Sequence, residues 1–139
     1  MKRLLPVLLV LAAGCGENRP PRGAPLGTPS LVQGKITLAD GSVLRGGVIE
    51  FHPVENEVRG KLRFDGGALV DGNGHYVAGR NGDGKGLVPG EYIVTVQPRE
   101  VGELSGSNSR SIPQKYRDGG AAGRITVEER DNTIDLQLK

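Results

Sequence analysis

The chain is predicted to fold as an all-β sandwich, and three features of its sequence support this class. Apolar and polar residues alternate in about seven short runs, which is the periodicity of half-buried strands. Glycine and proline number 23 and 9 among 139 residues, which favours many turns over long helices. No stretch longer than one turn has a helical apolar period. Short strands joined by glycine turns are typical of two packed sheets.

The first two predicted strands are Leu31–Leu38 and Gly47–Pro53. In the first strand, the alternation puts four residues on one face: Val32, Gly34, Ile36 and Leu38. Residues 39–42 then form a turn, because Asp and Gly tolerate the bends of a hairpin. The second strand points Ile49 and Phe51 inward and two polar residues, Glu50 and His52, outward.

The later strands follow the same period. Weaker runs cover residues 61–64 and 68–70, and a turn at Asp71–His75 leads into a run from Tyr76. Pro89 and Gly90 precede a strand over Glu91–Gln97. The two C-terminal strands are marked by alternating apolar residues: Ile125 and Val127, then Ile134, Leu136 and Leu138. We expect Tyr92, Val94 and Val96 to be buried against Ile36, Phe51 and Ile134.

The N-terminus has the pattern of a signal peptide over residues 1–14. Lys2 and Arg3 form a short positive region, and Leu4–Gly14 is an uncharged apolar run of 11 residues. A bilayer-spanning helix needs ~20 residues, so the run is too short to span a membrane. Without Lys2 and Arg3, 16 basic residues balance 16 acidic residues, and the charge pattern of a nucleic-acid-binding protein is absent.

Cys15 is the sole cysteine and cannot form an internal disulfide. It directly follows Ala12, Ala13 and Gly14, and this end of the apolar run resembles the lipobox of bacterial lipoproteins, although Ala12 stands where Leu, Val or Ile is usual. The resemblance implies transfer of a diacylglyceryl group to the Cys15 sulfur, cleavage between Gly14 and Cys15, and N-acylation of the new terminus by a palmitate-type chain. Two or three acyl chains hold a protein at a membrane. Ordinary signal cleavage nearby and an unmodified buried thiol are the alternatives.

Residues 15–30 are predicted to be a tether between the lipidated cysteine and the folded domain. Gly16–Ser30 contains four prolines and three glycines and has no apolar period. Such a composition does not bury enough apolar surface to fold. The folded domain is therefore predicted to cover residues 31–139. Together, the three segments predict a membrane-anchored, extracytoplasmic lipoprotein of the cell envelope.

Five short glycine-containing motifs follow one another along this domain: V-Q-G-K-I-T at Val32–Thr37, D-G-S from Asp40, G-G-V-I-E-F at Gly46–Phe51, D-G-N-G-H-Y at Asp71–Tyr76, and V-P-G-E-Y-I-V-T-V at Val88–Val96. Their order resembles the carboxypeptidase regulatory-like domain, and I-P-Q-K-Y at Ile112–Tyr116 resembles small bacterial lipoproteins that carry it. The resemblance implies a seven-stranded, transthyretin-like (prealbumin-like) Greek-key sandwich. It also implies a non-catalytic accessory role with no catalytic residues to carry over.

Two ligand-binding motifs are incomplete, and no cofactor or metal is expected. Gly79–Gly86 approaches the phosphate loop, but Gly86 replaces its hydroxyl residue and a strand follows instead of a helix. Asp71–His75 begins with the oxygen spacing of a calcium loop, but Gly82 stands where the bidentate Glu belongs. Two histidines cannot complete a zinc site without carboxylates. A plain loop and an Asx-type turn are the expected structures.

The function predicted is a binding or structural module of the envelope, anchored by its acyl chains. The alternative enzyme would be an envelope hydrolase using Glu50, His52 or Asp71, which would then have to converge in one cleft. A passive assembly subunit is the third possibility.

One long segment, between Pro98 and Gly123, has no sustained period, and long loops in compact domains are often functional or disordered. Residues 99–111 have the Gly, Ser and Asn content of disorder. Ile112 and Tyr116 are predicted to dock on the sheet through one helical turn that begins at Pro113. A basic partner surface would then comprise Arg110, Lys115, Tyr116 and Arg117. It would suit an anionic envelope polymer or an acidic protein, whereas a solvated connector is the simpler alternative.

Overall fold

The computed structural model describes residues 27–58, 61–99, 105–117 and 123–139. The predicted signal peptide, Cys15 and the tether as far as residue 26 lie outside the described residues. Ser30, the last residue of the predicted tether, pairs with Leu87, and its N–H donates to the Leu87 carbonyl at 2.8 Å. The described chain therefore joins the fold just before the first strand.

The elements are eleven short strands and two 3₁₀ turns, and the described ranges contain no α-helix. The strands are β1 (Val32–Thr37), β2 (Val48–Pro53), β3 (Glu57–Val58), β4 (Lys61–Leu62), β5 (Gly66–Leu69), β6 (His75–Val77), β7 (Gly79–Arg80), β8 (Gly90–Gln97), β9 (Gly123–Val127), β10 (Asn132–Thr133) and β11 (Leu136–Gln137). The 3₁₀ turns are η1 (Ser109–Ser111) and η2 (Gln114–Tyr116). Within the part of the chain that the structure describes, no helix is long and apolar enough to cross a membrane.

The smaller of the two main sheets is built around β1. On one side β1 pairs antiparallel with β6, and it also pairs in parallel with β10 and then with β11. Gly34 lies where β1 passes closest to the C-terminal segment, because a Cβ built on it would be 1.9 Å from the Ile134 carbonyl oxygen. A glycine is therefore required in the middle of this strand.

The larger sheet has five strands in the order β7-β5-β2-β8-β9, with every neighbouring pair antiparallel. The chain passes from the smaller sheet to the larger at Ala78, a fully buried residue between β6 and β7. A separate two-stranded ribbon is formed by β3 and β4. The fold is thus an all-β sandwich of two main sheets, as predicted.

The core lies between the two sheets and contains the inward residues that alternation predicted. The prediction for β8 is confirmed, since Tyr92, Val94 and Val96 are buried together with Ile36 and Phe51. Ile134, the sixth member of the predicted set, is partly buried against them. Phe51 packs between the rings of Tyr76 and Tyr92, at centroid distances of 5.9 and 6.4 Å.

Arg63 is buried as well, which alternation did not predict. Only 7% of its surface is exposed, and its guanidinium lies 4.7 Å from the centre of the Tyr92 ring. The group donates to the backbone carbonyls of Glu55 and Glu91 at 3.5 and 3.1 Å. Gly90 leaves room for it, because a Cβ there would be 2.2 Å from Arg63 Nη2. The cation–π contact and the two carbonyls thus compensate for the cost of burying the Arg63 guanidinium.

The two turns predicted from Asp and Gly are both present. Asp40 Oδ1 accepts hydrogen bonds from the hydroxyl and the N–H of Ser42, at 2.6 and 2.9 Å, and these bonds lower the pKa of Asp40. Asp71 Oδ1 accepts the N–H groups of Asn73 and His75, at 2.8 and 2.9 Å. This is the expected Asx-type turn, and it uses its carboxylate to hold the backbone.

The described part of the long segment, residues 105–117, is attached to the sandwich rather than disordered, so the prediction is wrong for residues 107–111. Asn108 Oδ1 accepts the Arg45 N–H at 2.6 Å, and its Nδ2 donates to the Val43 carbonyl at 3.0 Å. Ser109 is fully buried. Backbone bonds from polar side chains give this segment the order that its composition did not suggest.

Candidate functional site: a polar groove on the five-stranded sheet

An open groove of about 450 Å³ runs along the outer face of the five-stranded sheet. Glu50 and Asp65 line it together with Gly67, Leu69 and Asn81. Glu50 points outward because it alternates with the core residues Ile49 and Phe51 along β2. Asp65 directly precedes β5, the neighbour of β2 on this side. The register between these strands therefore brings the two carboxylates to one groove.

Gly67 forms the floor of the groove beside Glu50. The two residues lie directly opposite each other on β5 and β2. Any other residue at 67 would project a side chain from the same face as Glu50, and a Cβ there would already be 3.0 Å from the Ile49 carbonyl oxygen. The absence of a side chain at residue 67 leaves one flank of the Glu50 carboxylate open to the groove.

The other flank of Glu50 is held by β8. Thr95 lies opposite Glu50, and its hydroxyl donates to Glu50 Oε2 at 3.1 Å. Gln97 Nε2 donates to the same oxygen at 3.3 Å. Glu50 Oε1 makes no hydrogen bond to a residue in the described ranges. The carboxylate is therefore fixed through one oxygen while the other stays available.

His52 connects the two carboxylates. Its Nε2 is 3.2 Å from Thr95 Oγ1 and 3.6 Å from Glu50 Oε2, and its Nδ1 is 3.6 Å from Asp65 Oδ1. Because the single hydroxyl hydrogen of Thr95 goes to Glu50, a hydrogen bond between His52 Nε2 and Thr95 Oγ1 requires the proton on Nε2. The other nitrogen, Nδ1, then faces the Asp65 carboxylate.

Thr95, His52 and Asp65 follow one another as the nucleophile, the base and the orienting acid do in a catalytic triad. Their geometry, however, does not present a nucleophile to the groove. Thr95 is only 3% exposed, and its hydroxyl hydrogen is already given to Glu50. The backbone of β2 is paired on both sides, with β5 and with β8, so its N–H groups face neighbouring strands rather than the groove. The described residues also contain no cluster of three or more metal-ligating side chains. The arrangement is suited to holding a carboxylate in place.

The structure brings together Glu50 and His52 of the predicted hydrolytic set, but not Asp71. Asp71 lies in its own turn, where its carboxylate holds backbone N–H groups, and it does not line the groove. Asp65, Thr95 and Gln97 are the site residues that sequence reasoning missed. Thr95 and Gln97 share the outward phase of β8, which was a usable signal, but only the register shows that they meet Glu50.

A second groove, of about 400 Å³, lies on the outer face of the four-stranded sheet. Lys35, His75 and Asp135 line it, and Asp135 Oδ1 accepts the Lys35 N–H at 2.8 Å. Tyr76 also lines this groove, and its hydroxyl donates to the Ile134 carbonyl at 2.6 Å. Burial raises the pKa of Tyr76, and the nearby negative charge of Asp135 raises it further. The carboxylate in this groove is already used by the backbone of β1.

The predicted basic surface divides into exposed and structural residues. Ile112 and Tyr116 are buried as predicted, and a single turn, η2, lies between them with Pro113 as its N-cap, although it is a 3₁₀ turn and does not have the i,i+4 geometry expected. The Tyr116 hydroxyl donates to the Lys139 carbonyl at 2.7 Å and accepts its N–H at 2.6 Å. Arg117 donates to the carbonyls of Arg110 and Ile112, at 3.0 and 2.6 Å.

Arg110 and Lys115 are the exposed members of the set, and the Lys115 ammonium lies 5.1 Å from the centre of the Tyr116 ring. Arg117 does not project outward with them, because its guanidinium holds loop carbonyls. The role of these residues as a partner surface stays a prediction.

Comparison of the chain with protein-family models, with curated protein sequences and with solved structures finds no match. The resemblance to the carboxypeptidase regulatory-like domain therefore rests on the short motifs alone. A function for this chain is inferred from the geometry of its groove.

Proposed function

We propose that this chain is a lipid-anchored module of the cell envelope that binds a partner through the groove of its five-stranded sheet and performs no catalysis. The observation that carries the proposal is the Glu50 carboxylate, fixed through Oε2 by Thr95 and Gln97 and open to the groove through Oε1. A charged group held in place beforehand loses little freedom when a ligand binds. A carboxylate held in this way can recognise a ligand, and recognition needs no nucleophile.

We further propose the seven-stranded, transthyretin-like Greek-key sandwich that the motif order implies. Two strand pairs support this count, since β6 and β7 are separated only by Ala78, and β10 and β11 follow one register along β1. If each pair is taken as one interrupted strand and the β3–β4 ribbon is left aside, the two main sheets contain seven strands.

A partner bound in the groove should be captured by a cross-linker placed at its rim. Leu69 is 55% exposed and lines the groove, so a photoreactive residue at position 69 is expected to trap a protein or polymer in intact membranes. The matched control is Val77, which is 44% exposed but lies on the four-stranded sheet. Mass analysis of the adducts measures the result. Equal adducts from both positions, or none from position 69, would contradict binding in this groove.

The membrane anchor is tested separately, at Cys15. Replacing Cys15 by serine removes the sulfur that accepts the lipid, so we expect the variant to leave the membrane fraction on cell fractionation. Retention against high salt and alkaline washing distinguishes a lipid anchor from a charge contact. A Cys15→Ser variant held as firmly as the parent would show that the anchor lies elsewhere.

A further inference from the structure

We propose that Asn81 is a site of spontaneous deamidation, at which the folded chain converts an asparagine of the groove into a mixture of aspartate and isoaspartate. Asparagine followed by glycine is prone to this reaction, because glycine has no side chain to hinder attack by its nitrogen. The chain contains two such pairs, Asn73-Gly74 and Asn81-Gly82. The fold places them in different surroundings, and the proposal rests on that difference.

The reaction closes a succinimide ring between the two residues. The Gly82 nitrogen, after losing its proton to hydroxide, attacks Cγ of Asn81, so that a C–N bond forms and the bond from Cγ to Nδ2 breaks. Nδ2 takes up a proton from water and leaves as ammonia, which regenerates the hydroxide. Water then opens the ring: cleavage at Cγ gives aspartate, and cleavage at the backbone carbonyl carbon gives isoaspartate. Water is the only co-reactant, and nothing is oxidised or reduced.

The backbone around Asn73-Gly74 is held in place by hydrogen bonds. The N–H groups of Asn73 and His75 donate to Asp71 Oδ1 at 2.8 and 2.9 Å. The Gly74 carbonyl accepts the Ile36 N–H at 2.9 Å. Gly74 is buried, and a Cβ built on it would lie 3.0 Å from the Ile36 carbonyl oxygen. Rotation of this pair into the geometry of the ring therefore requires the turn to separate from β1.

The Asn81-Gly82 pair lies in the loop after β7 and is less constrained. Both residues are exposed, and no atom lies within 4 Å of a Cβ built on Gly82. The Asn81 side chain makes no hydrogen bond to a residue in the described ranges. Asn81 has a φ of 58° and is the only non-glycine residue of the described chain in the left-handed region. Because this conformation is unfavourable for a residue with a Cβ, the backbone loses little when it leaves it.

The hydrogen bonds of the attacking nitrogens do not account for the difference, because both nitrogens have one. The Gly82 N–H donates to the Gly79 carbonyl at 3.1 Å, and the Gly74 N–H donates to the Asp71 carbonyl at 3.2 Å. Each bond must open before its ring can close. At Gly82 this opening moves an exposed loop, whereas at Gly74 it moves buried backbone. We therefore expect deamidation of the folded chain to occur mainly at Asn81.

Deamidation of Asn81 changes the charge of the groove on the five-stranded sheet. Asn81 lines this groove with Glu50 and Asp65, so either product adds a third carboxylate to the two already there. Isoaspartate also lengthens the backbone of the loop by one carbon atom. As the protein ages, the groove becomes less favourable for an anionic partner. Only this consequence for a partner rests on the proposed binding function, because the reaction itself needs no partner.

The proposal is tested by incubating the full chain at mildly alkaline pH and digesting samples with trypsin. Cleavage after Arg80 places the two asparagines in different peptides, residues 64–80 and 81–85, and mass spectrometry with chromatography resolves the deamidated forms of each. In the folded chain we expect Asn81 to react faster than Asn73 by about tenfold or more, which corresponds to about 1.4 kcal/mol in the cost of opening the two turns. Both aspartate and isoaspartate should form.

Two controls separate the effect of the fold from that of the sequence. In the chain unfolded by urea, the two asparagines should react at similar rates, because both are followed by glycine. Asn81→Gln is the matched variant: its longer side chain does not readily form the ring, so the reaction at residue 81 should be lost while the rate at Asn73 stays unchanged.

Equal rates at the two asparagines of the folded chain, or a faster reaction at Asn73, would overturn the proposal. It would also be overturned if Asn81 stayed intact in the folded chain after the unfolded chain had reacted completely. Aspartate without isoaspartate would exclude the ring and the proposal with it. Deamidation of Asn81 without capture of a partner at position 69 would reject only the binding function of the groove.

Discussion

Replacing Tyr92 by alanine is expected to lower the free energy of unfolding by roughly 3 kcal/mol or more, the range for truncating a large buried aromatic residue. Tyr92 is almost completely buried at the centre of β8. Its ring meets that of Phe51 edge to face, at 6.4 Å and an interplanar angle of 87°. The chain has five aromatic residues in all, so little else can fill the space.

The loss extends beyond the cavity, because Tyr92 also supports a buried charge. The Arg63 guanidinium lies against its ring, and a truncated side chain would leave that cation with backbone carbonyls alone. Denaturant unfolding of the full chain measures the change. Tyr92→Phe is the matched control, since it removes only the hydroxyl that donates to the Val88 carbonyl at 2.6 Å, and we expect a cost of about 1 kcal/mol. An unchanged midpoint in the alanine variant would place Tyr92 on the surface.

Gly34→Ala is expected to destabilise the fold by about 3 kcal/mol, at the upper end of what overpacking costs. The added Cβ would lie 1.9 Å from the carbonyl oxygen of Ile134 and 2.6 Å from its carbonyl carbon. These are backbone atoms and cannot rotate away as a side chain can. Relief therefore requires β1 to move away from the C-terminal segment.

Hydrogen exchange provides a local readout of that movement. The Ile134 N–H donates to the Gln33 carbonyl at 2.8 Å, and its protection should fall in the Gly34→Ala variant more than that of β8 amides. Gly72→Ala is the matched control, because no atom lies within 4 Å of the Cβ position there. We expect its stability to stay within about 0.5 kcal/mol of the parent. Comparable losses in both variants would exclude the close approach at Gly34 as the cause.

The inward faces of β1, β2 and β8 could be predicted from the sequence because alternation is a local property. The burial of Arg63 could not be predicted in this way. It depends on the ring of Tyr92 and on the carbonyls of two other segments, and only the fold brings these groups together. The site shows the same division. Glu50 and His52 were predicted to point outward together, but Thr95 comes from the neighbouring strand β8, and Asp65 comes from the residue just before β5. A shift of one residue in the pairing of β2 with β8 would have pointed the Thr95 side chain into the core.

The ordered structure of residues 107–111 also could not be predicted, for a different reason. Residues 99–111 have the Gly, Ser and Asn content of a disordered chain, and composition does not show which polar side chains will find backbone partners. Asn108 finds two in the segment around Val43 and Arg45, and this fixes the loop over the end of the sandwich.

The position of β1 in its sheet determines how the domain bears mechanical load. If Cys15 is the anchor, as proposed, tension between the membrane and a partner held by the domain would reach the described fold through Ser30 and then β1. Because β1 lies between β6 on one side and the β10–β11 segment on the other, extracting it requires both ladders to break together. A strand at a sheet edge, such as β9, could be peeled away one bond at a time from its single neighbour. In the proposed lipid-anchored protein, the anchor would therefore pull on a strand that is paired along both sides.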